Sequence, residues 1–257
     1  MKTIVITGAS GGIGAALSRH LGREGHRLVL AARRINELND VAADSGANTI
    51  TLKADVTRRA DVNRIRDEAL RAFETVDVWV NNAGRGITRQ ALDLTDEDLD
   101  EMMAINVKSA LYGAQAIVPH FLERGRGHLI NISSFLGRVP LATHRSAYNA
   151  AKAALNALTA NLRVDLHRQN PHIHVSLVMP GLVTSDFAKN VRGEASAVAP
   201  PWIGGGQAPP PVQTSEEVAE AISRVIENPV AEIYTNPANA ALAKRYFEDV
   251  AAFEQSF

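Results

Sequence analysis

Short runs of apolar and β-branched residues recur along the first 180 positions, and the stretches between them carry apolar residues at helical spacing. The runs are Thr3 to Thr7, Leu28 to Ala32, Thr49 to Leu52, Val76 to Val80, His128 to Ile132 and Ile173 to Met179. Strands apolar on both sides are covered on both faces, and right-handed helical crossovers between them give a parallel sheet enclosed by two helical layers. Ile13 to Gly25 carries Ile13, Ala16, Leu17 and Leu21 on one helical face, and Ala60 to Phe73 repeats this with Val62, Ile65, Ala69 and Phe73. Thr95, followed by Asp96, Glu97 and Asp98, reads as an N-cap ahead of acids that favour the positive end of a helix dipole. Ala147 to Arg168 is expected to form a further long helix.

The rhythm changes only between Asp186 and Val212, where five of the 11 prolines and Gly204-Gly205-Gly206 fall. A continuous helix or strand is implausible there, and the segment reads as an insertion or lid. Beyond it, Ser215 with Glu216 and Glu217 starts a helix, Glu232 to Thr235 supplies a seventh strand, and Ala238 to Phe253 forms a last helix. The expectation is one α/β domain over residues 1–257, a doubly wound three-layer sandwich with a mostly parallel, seven-stranded sheet. With 46% hydrophobic and 21% charged residues, a chain of this length can bury a sizeable core. Its 27 basic and 28 acidic residues nearly cancel, so no global field favours nucleic acid or an anionic membrane, and any anion site is local. The absence of cysteine removes disulfides, zinc-thiolate sites and thiol nucleophiles together. Ile4-Val5-Ile6 is broken at Gly8, short of the roughly 7 to 15 apolar residues of a signal-peptide core. No stretch approaches the roughly 18 of a membrane span. A soluble, cytoplasmic protein is expected.

Thr7-Gly8-Ala9-Ser10-Gly11-Gly12-Ile13-Gly14 follows the first strand and opens the first helix. A pyrophosphate needs bare backbone N–H groups and the positive end of a helix dipole, and glycine admits it without a Cβ in the way. At the end of the second strand, an acid accepts from the adenosine ribose in NAD sites, whereas arginine accommodates a 2′-phosphate. Here that strand ends Ala31-Ala32-Arg33-Arg34, with no carboxylate and two guanidinium groups. NADP(H) is the expected cofactor, NAD(H) the alternative, and Ser10 can add a hydroxyl to the same phosphate.

Tyr148 and Lys152 stand one helical turn apart on a common face. A free tyrosine titrates near pH 10, and a neighbouring cation moves it toward working pH, which is what an acid-base tyrosine needs. The fifth strand ends Asn131-Ile132-Ser133-Ser134 and the fourth Asn81-Asn82-Ala83-Gly84, so these groups meet at the carboxyl edge of the sheet, where open α/β folds bind ligands.

Taken together, these motifs identify a resemblance to the short-chain dehydrogenase/reductase family, in its single-domain subgroup with a Rossmann-like fold, over Lys2 to about Ser185. Further features of the resemblance are Asp55-Val56 beside the adenine, Asn106, and the Pro180-Gly181 turn. It implies that Tyr148 is the general acid for carbonyl reduction and the base for oxidation. Ser134 would bind the reacting oxygen, and Lys152 would lower the tyrosine pKa and hold the nicotinamide ribose. Asn106 would hold a water that relays protons to Lys152. Gly8, Ser10, Gly12, Ile13, Gly14, Arg33, Arg34, Asp55, Val56, Asn82, Ala83 and Gly84 would surround the adenosine and phosphates, and Pro180, Gly181, Val183, Thr184 and Ser185 the nicotinamide. Phe187 would meet a small-molecule carbonyl or alcohol substrate. Homodimers or homotetramers through Ile105 to Leu122 and Ala147 to Arg168 are implied, and no metal is.

Three departures stand out. Ser134 and Tyr148 lie 14 apart where the family usually has 13, so Ser133 is the fallback hydroxyl. Either Thr184 or Ser185 can supply the nicotinamide contact. Gly11 stands where NADP-selective members often carry a basic residue. His144 lies between Ser134 and Tyr148, and His172 and His174 share a strand; none is assigned to metal. Phe187, Val191, Val198, Trp202 and Ile203 suggest a cover for an apolar or medium-sized substrate. The rival function is a dinucleotide-binding sensor or scaffold without chemistry, and an NAD-dependent alcohol dehydrogenase of the same family is a second alternative.

Overall fold

A computed structural model of the chain describes residues 1–46, 48–168, 170–184 and 211–256. The expected strands form with small shifts: β1 (Thr3–Thr7), β2 (Arg27–Ala32), β3 (Thr49–Lys53), β4 (Val78–Asn81), β5 (Gly127–Ile132) and β6 (Ile173–Met179). Two-residue strands β7 (Val183–Thr184) and β8 (Gln213–Thr214) pair only with each other, and β9 (Glu232–Tyr234) completes the main sheet. Its order is β3-β2-β1-β4-β5-β6-β9, and every pairing is parallel. The order reverses between β1 and β4, so the carboxyl ends of these two strands flank the crevice where such sheets bind ligands.

Residues along each central strand alternate between two cores, as the period of a strand requires. Ile4, Ile6, Leu28, Leu30, Val78, Val80, Ile130 and Val178 face one layer, where α1 (Gly12–Arg23), α2 (Ile35–Asp44) and α7 (Ser215–Glu227) insert residues such as Leu17, Leu38 and Ile222. Val5, Val29, Trp79, Leu129 and Val175 face the other layer. There α3 (Arg59–Phe73), α4 (Asp96–Met103), α5 (Ser109–Arg124) and α6 (Ser146–His167) bring residues such as Ile65, Met102, Ile117 and Ala151. Each fully buried leucine or isoleucine contributes about 1.5–3 kcal/mol.

The Thr95 cap is a reciprocal capping box: Thr95 Oγ1 accepts the Asp98 N–H at 3.2 Å, and the Asp98 carboxylate accepts the Thr95 N–H at 3.3 Å. A second box joins Thr214 and Glu217, placing the cap one residue ahead of Ser215. The expected last helix is two, α8 (Ala238–Glu248) and α9 (Val250–Gln255), because Asp249 turns extended (φ −156°) and caps the Ala252 N–H at 2.9 Å. Between α4 and α5, Ala104–Lys108 widens into a π-helical turn that no residue pattern announces. The expected lid, with Ser185, Phe187, Val191, Val198, Trp202 and Ile203, lies outside the described residues apart from Pro211 and Val212. No helix among the described residues is long and apolar enough to cross a membrane.

Candidate active site

The glycine turn is shaped by its neighbour as much as by any ligand. Gly8 and Gly12 have φ of +68° and +53°, conformations that side chains resist. A Cβ on Gly8 would stand 2.7 Å from Ala83 Cα, and one on Gly14 would stand 2.4 Å from the Gly8 carbonyl oxygen. The end of β4 clasps the turn: Thr7 Oγ1 accepts the N–H groups of Asn82 and Ala83 at 3.1 and 3.2 Å, and Asn82 Nδ2 donates to the Thr7 and Gly8 carbonyls at 3.0 and 3.2 Å. Gly11 is the N-cap of α1 and has no side chain to satisfy its first-turn N–H groups, which leaves them for an anion. A cleft of about 640 Å³ opens there, lined among others by Ser10, Gly11, Gly12, Glu37, Thr184 and Ser215. The side chain of Ile13 packs toward the core.

Arg34 lies across this turn. Its Nε donates to Ser10 Oγ at 3.3 Å, and a Cβ on Gly11 would be 2.9 Å from its Nη2, so Arg34 fills the space a basic residue at position 11 would need. Arg33 is exposed. The carboxylate-free strand end expected from the sequence needs correction: Glu37, in the first turn of α2, brings Oε1 to 4.0 Å from Arg34 Nε and lines the same cleft with Asp40. Asp55 Oδ1 accepts from the Thr57 N–H and hydroxyl at 3.0 and 2.7 Å, while its own N–H donates to Asp61 Oδ2 at 2.8 Å. That N–H holds the Asp61 carboxyl below its ordinary range, aided by Arg64. Val56 is buried beside them.

The structure brings Ser134 beside Tyr148, where the serine hydroxyl acts on the phenol. Ser133 is turned away, donating to Asn156 Oδ1 at 2.5 Å, so the fallback hydroxyl is committed to α6. A single turn at Phe135–Gly137 follows Ser134, where a Cβ on Gly137 would lie 2.6 Å from the Lys152 carbonyl carbon. Burial pushes the Tyr148 phenol above its ordinary value, and the Ser134 hydroxyl and the Arg145 charge pull the other way. Burial also pushes the Lys152 ammonium down to about 7. Lys152 Nζ donates to the Ile132 carbonyl at 2.9 Å and lies 5.7 Å from the centre of the Tyr148 ring. The sequence assigned the cation acting on the phenol to Lys152; Arg145, which precedes α6 and stands three residues before Tyr148, is a further cation acting on it.

Asn106 is buried in the π-helical turn, its Nδ2 donating to the Arg85 and Met102 carbonyls at 3.0 and 3.1 Å and its Oδ1 accepting the Arg85 N–H at 3.3 Å. Gly84 separates Asn106 from Lys152: a Cβ there would meet Asn106 Oδ1 at 2.9 Å and Lys152 Nζ at 3.5 Å. Asn82, Ala83 and Gly84 thus bridge the glycine turn to Lys152. On the next strand the Pro180 carbonyl accepts the Phe135 N–H at 2.8 Å, tying the Ser134 turn to Pro180-Gly181. Val183 and Thr184 follow in β7, and the Thr184 carbonyl accepts from Ser215 Oγ at 3.5 Å. His144 contributes its carbonyl, which accepts the Arg89 N–H at 2.7 Å. His172 precedes β6 and His174 is its second residue, so both lie at the amino edge, across the sheet from Tyr148.

Comparison with known proteins agrees with this geometry. The short chain dehydrogenase model matches residues 2–196. The uncharacterized oxidoreductase YxnA of Bacillus subtilis is 35% identical over 94% of this chain and 67% of its own length. Among solved structures, a short chain dehydrogenase/reductase from Burkholderia phymatum in complex with NAD is 27% identical, with a TM-score of 0.85 over 98% of this chain and 94% of that one. An alcohol dehydrogenase from Thermococcus sibiricus, complexed with 5-hydroxy-NADP, is 28% identical, with a TM-score of 0.76 over 91% and 95%. Motif, fold and relatives agree: the chain belongs to the short chain dehydrogenase family of oxidoreductases.

Proposed function

We propose that the chain, as a single domain, is an NADP(H)-dependent oxidoreductase that interconverts a ketone or aldehyde with an alcohol. The observation that carries this is the buried group of Ser134, Tyr148 and Lys152, the lysine one helical turn along from the tyrosine, at the sheet edge that also holds the glycine turn. The cradle fits a dinucleotide: its glycines admit close approach, and the first-turn N–H groups of α1 have no side-chain cap. Gly8, Ser10, Gly12, Ile13 and Gly14 would hold the phosphates, Arg33 and Arg34 the 2′-phosphate, and Asp55 and Val56 the adenine. Asn82, Ala83 and Gly84 would line the adenosine side, and Pro180, Gly181, Val183, Thr184 and Ser185 the nicotinamide. When bound, the cofactor supplies or accepts the hydride.

The chain's own residues move the proton. A phenol raised by burial stays protonated at neutral pH, so Tyr148 Oη is poised to give its proton to a carbonyl oxygen in reduction. Ser134 Oγ, beside that phenol, would bind the same oxygen and steady the phenolate that results. Lys152, balanced near neutrality in the free protein, gains charge as anionic groups arrive and would take up the replacement proton from a water held by Asn106. Phe187 is proposed as a substrate contact, and a homodimer or homotetramer in the cytoplasm as the working form.

Calorimetric titration tests the cofactor. NADPH is expected to bind at least 10-fold more tightly than NADH, and replacing Arg33 and Arg34 by Ala is expected to remove that preference, since each guanidinium–phosphate contact contributes about 1.5–3 kcal/mol. Tighter binding of NADH refutes this choice. Glu37 favours NAD(H), because its carboxylate repels a 2′-phosphate and can accept from ribose hydroxyls. Glu37→Gln is accordingly expected to tighten NADPH several-fold and to leave NADH unchanged or weaker.

A further inference from the structure

The corner behind Pro180-Gly181 contains a buried polar side chain that the scheme above does not use. Asn239, in the first turn of α8, is 1% exposed, and its Nδ2 is fully buried without a hydrogen-bond partner among the described residues. Its neighbour Asn236 is fully employed in structure: Oδ1 accepts the Ala238 N–H at 3.1 Å, and Nδ2 donates to the Pro211 carbonyl at 2.9 Å. Asn239 instead presses its amide against Gly181, where a Cβ would stand 2.6 Å from Nδ2. An apolar side chain of similar size would fill the space without the cost of an unmade hydrogen bond. Through Leu242 and Ala243, α8 rests on Phe135, Val139 and Leu141, the segment that follows Ser134. The Phe135 N–H, next to Ser134, donates to the Pro180 carbonyl at 2.8 Å, so a dinucleotide that runs from the glycine turn to Tyr148 brings its far end to the neighbourhood of Gly181.

We propose that Asn239 is a cofactor-binding residue whose Nδ2 donates to the carboxamide oxygen of the nicotinamide seated at Pro180-Gly181. The inference rests on the dinucleotide reading above and adds to it a contact from the C-terminal helices. It predicts a division between stability and binding, because the orphaned donor is unfavourable in the free protein and satisfied in the complex.

Two variants test it. Asn239→Asp keeps the shape and removes the donor, and Asn239→Leu removes the polarity. Affinities are measured by calorimetry for NADP+ against 2′-phospho-ADP-ribose, and for NAD+ against ADP-ribose, each pair differing by the nicotinamide base. Loss of one satisfied hydrogen bond is expected to weaken the intact dinucleotide about 5- to 10-fold in both variants and to leave the truncated partner within 2-fold. Free Asn239→Leu is expected to unfold at the same or a higher urea concentration than the wild type. If both ligands of a pair weaken alike, or neither does, Asn239 is a structural residue and the assignment is overturned. If the wild-type protein binds no dinucleotide at all, it is the cofactor reading that fails.

Discussion

Tyr148→Phe is expected to lower kcat for NADPH-driven carbonyl reduction by about 10³-fold while leaving the NADPH dissociation constant within about 3-fold of the wild type, a loss within the range that general acid catalysis contributes. The reasoning starts from burial. Tyr148 is 8% exposed, and the same desolvation that raises its pKa keeps its proton in place until a carbonyl oxygen develops negative charge. Phe fills the same volume and removes only the hydroxyl, so the backbone around the glycine turn, which is held by Thr7, Asn82 and Ala83, has no cause to shift. Stopped-flow turnover with parallel calorimetry separates the outcomes. Retained turnover removes Tyr148 from the chemistry, and lost NADPH binding makes it a structural support of the cradle. Retained binding without turnover is the expected pattern, and the same experiment disposes of the reading as a non-catalytic sensor once the wild type reduces a ketone.

The layered sheet was readable from sequence because strand and helix periods are local properties. Thr3–Thr7 and Ile173–Met179 fall where the apolar runs predict them, and Thr95 announces its cap by the acids that follow. Ser134 was distinguishable from Ser133 only in part, since spacing leaves the two hydroxyls one residue apart. What separates them in three dimensions is Asn156, which lies 23 residues from Ser133 and captures its hydroxyl. Arg145 and Glu37 each stand three residues from the group they act on, the Tyr148 phenol and the Arg34 guanidinium, a local spacing that gains meaning only once burial and the cleft are known, whereas Asn239 had no local signal because the backbone of Gly181 is brought to it from a distant segment. The π-helical turn around Asn106 carries a contact of the same non-local kind, with Arg85, 21 residues earlier. The net shifts of Tyr148 and Lys152 were hidden for a related reason. One helical turn of spacing predicts a shared face, but only the packed structure shows that both groups are desolvated, which raises the phenol and lowers the amine.

Acidification is expected to unfold this protein through a group far from the chemistry. His128, the second residue of β5, is 4% exposed and sits opposite His174 of β6, with ring centres 5.9 Å apart. Ser176 Oγ donates its proton to the Val230 carbonyl, so the 2.8 Å contact between Ser176 Oγ and His128 Nε2 places the imidazole proton on Nε2. Nδ1 is then the bare nitrogen, buried without a partner, and protonating it would create a cation with no acceptor. Burial pushes His128 down from 6.5 to about 3, and the neighbouring His174 and Lys2 add to the shift. The unfolded chain takes up this proton below pH 6.5 and the folded chain does not until about pH 3, so His128 leaves stability untouched above 6.5 and erodes it progressively between those values. At about 1.4 kcal/mol for each pH unit, the full interval amounts to about 5 kcal/mol, a large part of the 5–15 kcal/mol that holds a typical domain together. Urea unfolding from pH 7.5 to pH 4 should therefore show ΔG falling steeply below pH 6.5. His128→Leu, which has no proton to exclude, should flatten that fall by about 1.4 kcal/mol per unit while leaving the contributions of His26, His120, His144 and His174, all lowered by burial, in place. Parallel curves for the two proteins would mean that His128 takes up its proton in the folded state near its ordinary value, with the edge of β5 opening to admit it.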